Sequence, residues 1–410
     1  MKRTLLVLAA FAAAALSAAP TISINRVQQR YPWNGLIDID YTVEGLEGEV
    51  SDFCPVFRAA GIVCSNFVAH ARCDLPAANG THRVTWNAPA DGVQRRDDAL
   101  VVSVDLVYAP TVREDATFAI VDLSGGPSAA TVDVKYVTMP TNETEQFNKP
   151  LYKRDKMVLR RVPAGTFTMG GVAVNNYNPG IHDVQLTEDF FLGVFTLTRR
   201  QYRLMTGADA PSYGNFDSAD NPVDERPAVG FRWIDFVATG GVVSNLNSRA
   251  RNHGLAVAGF DLPTEAQWEY ACRAGERNVY YWGDTASSVT LDSVGAHCWW
   301  NFNIPEGTNV SHAVGRKIPN NWGFHDMAGN VMEACLDWYG PYEDDPAYVA
   351  GGVTVDPHGV PSSAQRVYRG CYWSPRDSSW LHVTSVFRYY CEPAVAYSPN
   401  GIRFVLHIRD

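Results

Sequence analysis

The chain has 410 residues, of which 46% are hydrophobic and only 19% are charged. This balance excludes a disordered acidic tail and a low-complexity polymer, and the length predicts about two or three domains. The formal net charge of −10 provides no basic field for phosphate groups, so nucleic acid is not expected as a partner.

The first residues predict an export signal. Lys2 and Arg3 form a basic start, an apolar run covers 4–16, and small residues of the cleavage type follow at 17–19. The run is shorter than the roughly 20 residues that a bilayer-spanning helix needs, and no later segment is long and apolar enough to span. We therefore predict a signal peptide over 1–18, no transmembrane segment after it, and a secreted, periplasmic or cell-surface protein.

Export would place the eight cysteines in an oxidising compartment, where disulfides are more common than thiol–metal sites. Three of the cysteines precede residue 100 and five follow residue 270. Pairing confined to each half leaves one thiol over on either side. The sequence therefore predicts either one bridge between domains or two unpaired thiols.

Residues 19–140 have the pattern of an all-β sandwich domain. Apolar and polar residues alternate over 36–43, β-branched residues dominate 100–108, and turn residues separate such stretches. The polar stretch 141–154 is predicted to be a linker. The second domain is predicted to cover 155–410.

The second domain is predicted to contain few helices and many loops. The clearest helix covers 264–274, because Thr264 and Gln267 form a capping box at its start. A second helix over 233–251 is interrupted by two consecutive glycines and should be bent or split. A third helix, over 198–204, is short. The remaining residues predict brief strands and irregular loops.

Seven ordered sequence blocks carry a resemblance to a known family. They are VPAGTFTMG at 162–170, FFLG at 190–193 with the stretch 198–202, LPTEAQWEYA at 262–271, YWGD at 281–284, NWGFHDMAGNVME at 321–333, RVYRG at 366–370 and GIRF at 401–404. In this order they resemble the formylglycine-generating enzyme family, also called the sulfatase-modifying-factor domain, over about 155–407. The resemblance implies an α+β, loop-rich fold of the C-type-lectin kind behind the all-β sandwich.

The segment from Asp326 to Glu333 is a candidate calcium site. Two carboxylates seven residues apart, with Gly329 and Asn330 permitting a tight turn, can direct several oxygens at one hard cation. The resemblance implies structural calcium bound by the side chains of Asp326 and Glu333 and by the carbonyls of Gly329 and Val331. The alternative is that the two carboxylates only cap loop amides.

The resemblance also implies a second calcium site, which would begin at Asn301 and Phe302. The loop that follows is shortened before Val314, so its remaining ligands have no assignable counterparts.

The two cysteines that carry catalysis in the family are replaced in this chain. The family pair binds copper and oxidises a substrate cysteine with oxygen. An ungapped alignment from RVYRG and GIRF places Pro375 and Trp380 at those positions. Neither side chain forms a thiolate or binds copper, so copper is not expected. Cys371 and Cys391 lie in the same stretch but twenty residues apart, which favours a disulfide or packed thiols.

The stretch from Cys371 to Pro399 has the composition of a recognition surface, in which rigid amphipathic rings supply contact area at low entropy cost. The alternative is that some rings, such as Trp373 and Phe387, form a core beneath the final strands. The candidate ligand-binding residues are Tyr372, Arg376, Trp380, His382, Arg388, Tyr389 and Tyr390.

Family-type flanks around an atypical interior resemble display proteins of this fold whose C-terminal stretch is diversified by retroelements. The predicted function is therefore binding of an extracellular protein or glycan by an exported protein that lacks the catalytic cysteine pair. The alternative is an oxygen-dependent oxidoreductase acting on a sulfur-containing substrate, of the formylglycine-generating or the non-heme iron type. Iron enters only under this alternative, and the sequence shows no clustered His ligands for it.

Overall fold

The computed structural model describes residues 21–408 except 31–33, 46–52, 60–61, 65, 69–77, 94–99, 109–115, 139–146, 172–179, 212–217, 219–220, 253–258, 286, 302, 304–309 and 374–381. The predicted signal peptide over 1–18 lies outside this part of the chain. The chain is divided into two compact units, Met1–Thr111 and Val112–Asp410. No helix among the described residues is long and apolar enough to cross a bilayer.

The first unit contains two three-stranded antiparallel sheets, in the orders β1-β2-β5 and β4-β3-β6. Alternate residues of β2, β3 and β5 share one core, which includes Tyr41, Phe57 and Trp86. The predicted sandwich is thus confirmed for this unit. Its strands are β1 (Thr21–Gln29), β2 (Leu36–Glu44), β3 (Phe53–Ala59), β4 (Ile62–Val63), β5 (Gly80–Asn87) and β6 (Val102–Tyr108).

Among its described residues, the second unit combines short helices with three sheets, which confirms the predicted α+β class. Its helices are α1 (Pro150–Arg154), α2 (Arg199–Thr206), α3 (Trp233–Val237), α4 (Val242–Asn252), α5 (Glu265–Arg273) and α6 (Leu291–His297). Its strands are β7 (Phe118–Asp122), β8 (Asp133–Val137), β9 (Lys156–Val162), β10 (Gly165–Met169), β11 (His182–Leu186), β12 (Phe190–Gly193), β13 (Gly259–Asp261), β14 (Met332–Trp338), β15 (Val353–Val355), β16 (Arg366–Arg369), β17 (Arg388–Cys391), β18 (Asn400–Gly401) and β19 (Val405–His407).

The sheets of the second unit bring distant segments together. A six-stranded sheet has the order β13-β19-β12-β9-β7-β8, a three-stranded sheet the order β10-β11-β15, and a four-stranded sheet the order β17-β16-β14-β18. The four-stranded sheet joins the strand that begins at Met332 to the RVYRG strand β16. Strand β17 forms one edge of this sheet and pairs antiparallel with β16.

The division between the units differs from the predicted domain boundary. Strands β7 and β8 fall within the predicted sandwich of 19–140, yet β7 pairs with β9 in the second unit. Ala119 and Val121 pack with Leu159 in the core of that unit, so these strands complete its sheet. The predicted linker 141–154 ends in helix α1, where Pro150 stands in the first turn. The alternation of apolar and polar residues shows that one face of a strand is buried, but it does not show which neighbouring strand the residues pair with.

The helix predictions hold where the signals are local. The capping box between Thr264 and Gln267 begins α5, and Ala274 ends it in the left-handed conformation. The interrupted helix is split into α3 and α4 on either side of the paired glycines. Thr198 caps α2 by the same reciprocal arrangement with Gln201.

Candidate functional site

Glu333, in β14, is a buried carboxylate whose bonding capacity is filled. Arg403 donates to its two oxygens through Nε and Nη2, at 2.8 and 2.7 Å. Thr196 Oγ1 donates to one oxygen at 2.6 Å and Trp268 Nε1 to the other at 2.7 Å. An ionised carboxylate offers about four acceptor positions, and these four bonds use them. Glu333 therefore ties the GIRF segment to β14.

Asp326 is buried but keeps one oxygen without a hydrogen-bond partner. Its Oδ2 accepts from the Gly315 amide at 2.7 Å, whereas Oδ1 is unbonded. Burial raises the pKa of Asp326 to about 6, although the Gly315 amide, Arg403 and Lys153 favour its charged form. The backbone of Asp326 is left-handed, with φ 57°, which places it at a tight turn. This carboxylate can accept a further ligand.

The two carboxylates thus differ in how they fit the predicted calcium ion. Asp326 fits it through its unbonded oxygen, but the side chain of Glu333 does not, because Arg403 already neutralises it. Gly329 approaches the Trp299 carbonyl so closely that a Cβ there would lie 2.2 Å from that oxygen. No group of three or more His, Cys, Asp or Glu side chains able to hold a metal occurs in the described part of the chain. The calcium site predicted from Asp326, Gly329, Val331 and Glu333 stays a prediction, and of its two carboxylates only Asp326 has an unbonded oxygen.

The second predicted calcium position is described only in part. Asn301 is exposed, while Phe302 and residues 304–309 lie outside the described residues. This position likewise stays a prediction.

The last strand of the predicted ligand face presents two tyrosines at the surface. Tyr389 and Tyr390 are 36% and 45% exposed, and their rings are stacked with centroids 5.6 Å apart and planes within 12°. Two consecutive exposed residues break the alternation expected of a strand, while Arg388 and Cys391 on either side are buried. Because β17 lies at a sheet edge, both rings remain at the surface.

Further rings extend this pair into a continuous row. Tyr339 lies 4.7 Å from Tyr390, and Phe387 lies 6.5 Å from Tyr389, measured between ring centroids. His382 continues the row at 4.7 Å from Phe387. We call these five residues, His382, Phe387, Tyr389, Tyr390 and Tyr339, the aromatic row. Tyr339 was absent from the predicted face because it precedes that face by many residues and joins it only through the sheet.

Arg388 corrects the predicted set of ligand contacts. Its guanidinium is buried and pairs with Glu265, Nε to Oε1 at 2.5 Å and Nη2 to Oε2 at 2.7 Å. A third donor reaches the Gly340 carbonyl at 2.9 Å, and the guanidinium carbon lies 4.2 Å from the Tyr342 ring centroid. A carboxylate on α5 thus holds Arg388 in the interior, where it supports the aromatic row.

The remaining predicted face residues divide between core and surface. Trp373 is buried and packs with Val331 and the half-buried Tyr372. His382 and Phe387 are half-buried. The predicted contacts Arg376 and Trp380 lie in 374–381, outside the described residues, together with Pro375.

The described cysteines do not show the expected disulfides among themselves. Free, buried thiols occur at Cys64, Cys272, Cys298, Cys335 and Cys391. Burial raises the pKa of the Cys272 thiol to about 12 and raises the pKa of Cys391. The apolar packing that surrounds these side chains favours the neutral thiol. Cys371 is buried as well, with a left-handed backbone.

A cleft of about 280 Å³ shares no residue with the aromatic row. It lies between the β11–β12 turn, the first turn of α5 and the chain near His358. Two of its carboxylates are engaged, Asp189 by Arg161 at 2.7 Å and Asp356 by the Thr187 amide at 2.9 Å. We assign no chemistry to this cleft.

Comparisons with known proteins place the second unit in a wider context. The sulfatase-modifying factor enzyme 1-like domain matches residues 143–408. A formylglycine-generating enzyme of Streptomyces coelicolor is 40% identical over 125 residues, 30% of this chain and 38% of that enzyme. The match therefore spans well under half of that relative's length.

Two further comparisons cover more of the related proteins. A formylglycine-generating enzyme of Thermomonospora curvata is 28% identical over 256 residues, 51% of this chain and 80% of that enzyme. The structure of Treponema denticola variable protein 1 superposes with a TM-score of 0.50 at 21% identity, over 62% of this chain and 95% of that one. This last likeness concerns the fold alone.

Proposed function

Because this chain belongs to the family of sulfatase-modifying-factor domains, we propose that it binds an extracellular ligand and does not generate formylglycine. The observation that carries the proposal is the exposed pair Tyr389 and Tyr390 within the aromatic row. Large rings at a surface expose apolar area to water, and such patches mark interaction sites. Tyrosine is also enriched among the residues that dominate binding energy.

The thiols of the C-terminal stretch support binding over catalysis. The positions that resemble the catalytic pair carry Pro375 and Trp380, which have no thiol. Cys371 and Cys391 are buried in the same stretch, and burial raises the pKa of Cys391. Since the thiolate is both the nucleophile and the metal ligand, the raised pKa of Cys391 disfavours copper chemistry at that residue.

The flanks of the stretch support its use as a display surface. Arg369, which ends β16, is fully buried and pairs with Glu269, and Arg403 pairs with Glu333. Breaking such buried pairs costs about 3–5 kcal/mol, so the frame is intolerant of change. Between them, Tyr389 and Tyr390 on β17 reach the surface and can vary at small cost, whereas Trp373, Arg388 and Cys391 are buried. This division suits a diversified binding segment, and the predicted signal peptide over 1–18 would place it outside the cytoplasm.

A comparison of surface variants tests the binding proposal. The mature protein, Tyr389→Ala, Tyr390→Ala and the control Ile181→Ala, whose parent residue is 59% exposed, are applied to a glycan array and to immobilised extracellular proteins. We expect a shared partner to be lost from both tyrosine variants and kept by the control. Identical profiles for all four proteins would overturn the proposal.

A direct assay tests the absence of formylglycine generation. The mature protein is incubated with a Cys-x-Pro-x-Arg peptide, copper and oxygen, and the peptide is followed by mass spectrometry. We expect the cysteine to stay unchanged, and its conversion to an aldehyde would establish the enzymatic alternative. Stoichiometric iron in the purified protein would instead support a non-heme iron oxidoreductase.

A further inference from the structure

In the described segments that adjoin Tyr339 and Tyr390 along the chain, the exposed charged side chains are acidic. Glu392 follows β17 directly, and Glu343 with Asp344 occupies the turn that follows Tyr339. All three are exposed. The described segments 339–346 and 387–399 contain a single basic residue, the buried Arg388. We call Glu343, Asp344 and Glu392 the acidic rim.

Two of the three arginines on β16 and β17 are held in buried ion pairs. Arg388 is neutralised by Glu265, and Arg369 is fully buried against Glu269. Arg366 lies between two indole rings, with its guanidinium carbon 3.8 Å from the Trp233 centroid and 3.3 Å from the Trp338 centroid. Arg366 keeps its charge, so the three exposed carboxylates leave these described segments with a net negative charge beside electron-rich rings.

Such a surface is complementary to a cation. The face of an aromatic ring carries negative potential and attracts Lys and Arg side chains within about 6 Å. Arg388 already lies 4.9 Å from the centroid of Tyr339, so a ring of the row holds a cation from within the protein. The hydroxyls of a neutral sugar can donate hydrogen bonds to these carboxylates, whereas a cationic partner gains charge attraction from both the carboxylates and the ring faces.

Building on the ligand-binding function proposed above, we propose that the aromatic row binds a cationic protein segment. Lys or Arg side chains of the partner stack on Tyr389 and Tyr390 and pair with the acidic rim. The partner class is thereby a basic extracellular protein surface rather than a glycan.

Peptide binding to the mature full chain tests this proposal. Three fluorescent peptides of equal length, alternating glycine with lysine, glutamate or serine, are followed by anisotropy at low and at high ionic strength. We expect the lysine peptide to bind best and to lose affinity with salt, because exposed charge pairs are screened.

Two variants of Tyr390 distinguish the attraction of a cation to the aromatic ring from the contribution of apolar contact area. Tyr390→Phe keeps the ring and should bind the lysine peptide as the wild type does. Tyr390→Leu keeps apolar area without the ring and should weaken binding about two- to fivefold. Equal binding by the Leu variant would overturn the proposal.

Neutralising the acidic rim separates specific pairing from the general charge of the protein. The triple change Glu343→Gln, Asp344→Asn and Glu392→Gln should lower the affinity for the lysine peptide several-fold and reduce the dependence of that affinity on salt. The control triple, with the same change of net charge, alters the exposed Glu188, Asp209 and Asp292 to their amides. Equal losses in both triples would mean unspecific attraction and would overturn the proposal.

The outcomes separate this inference from the proposed function on which it rests. An uncharged oligosaccharide that needs Tyr389 and Tyr390 but ignores the rim would preserve ligand binding and overturn the cationic partner. A ligand profile unchanged by either tyrosine would overturn both.

Discussion

Two neighbouring regions of the four-stranded sheet differ in what they bury: one holds ion pairs in the interior, and the other leaves aromatic rings at the surface. Beneath β16 and β17, Arg369 and Arg388 are buried against Glu269 and Glu265 on α5. On the outer side of β17, Tyr389 and Tyr390 remain exposed with acidic neighbours. A buried ion pair loses several kcal/mol when one partner is removed, whereas exposed rings are exchanged cheaply. The fold thus separates a rigid frame from a replaceable surface within one strand.

The largest expected effect is the loss of Arg403 from the frame. Arg403→Met leaves the buried Glu333 charge without its partner and should lower the free energy of unfolding by about 3–5 kcal/mol. Denaturant unfolding measures this loss. The double variant Arg403→Met with Glu333→Met should recover part of it, since both charges are then gone. A single-variant loss below about 1 kcal/mol would contradict the proposed role of the frame.

Calcium distinguishes the two carboxylates of the predicted loop. An ion bound only by the folded protein stabilises by about 2.7 kcal/mol at a hundredfold excess over Kd. We expect chelation to lower the melting temperature of the wild type and Asp326→Ala, which removes the side-chain oxygens, to abolish this response. Glu333→Gln should retain it, because the Glu333 oxygens already face Arg403, Thr196 and Trp268. A wild type that does not respond to calcium would contradict the calcium prediction.

The pH dependence of stability should reveal the titration of Asp337, a carboxyl buried in β14. Burial, with the nearby charge of Glu265, raises the pKa of Asp337 to about 8. A carboxyl whose pKa is raised on folding stabilises fully below its unfolded pKa, and this contribution is lost as pH rises through the folded value.

Between about pH 4 and 8 the Asp337 contribution to stability should therefore fall, by at most about 1.4 kcal/mol per pH unit. Asp337→Asn should remove this part of the slope while retaining an oxygen that can accept the Glu265 amide. Denaturant unfolding at a series of pH values measures both proteins, and parallel profiles would show that Asp337 does not titrate as stated.

The smallest expected effect is at the surface tyrosines. Tyr389→Ala and Tyr390→Ala should each change the free energy of unfolding by less than about 1 kcal/mol, because neither ring is buried. Tyr368→Ala is the matched control, since this tyrosine pairs with Tyr389 across the sheet but is only 1% exposed. Its loss should reach about 3–5 kcal/mol. Large losses at all three positions would identify the aromatic row as core.

Ligand binding by the face stays a prediction, and the structure bears only on which of its residues are exposed. Its composition pointed to 371–399, and the exposed Tyr389 and Tyr390 agree with that expectation. The same composition also predicted Arg388 to be a ligand contact, but Arg388 is buried in an ion pair with Glu265. Tyr339 could not be placed on the face from the sequence, since only strand pairing brings it to Tyr390. Composition reports residue types, while burial depends on partners far along the chain.

The sequence by itself determined the features that rest on contacts within a few residues. Thr264 and Gln267 begin α5, the paired glycines at 240 and 241 divide α3 from α4, and the alternation over 36–43 forms a half-buried strand. Tertiary structure decided which sheet receives β7 and that Glu333 bonds to Arg403, seventy residues away. Capping and turn signals are local, whereas the partner of a strand or a buried charge is fixed by the burial that the whole domain achieves.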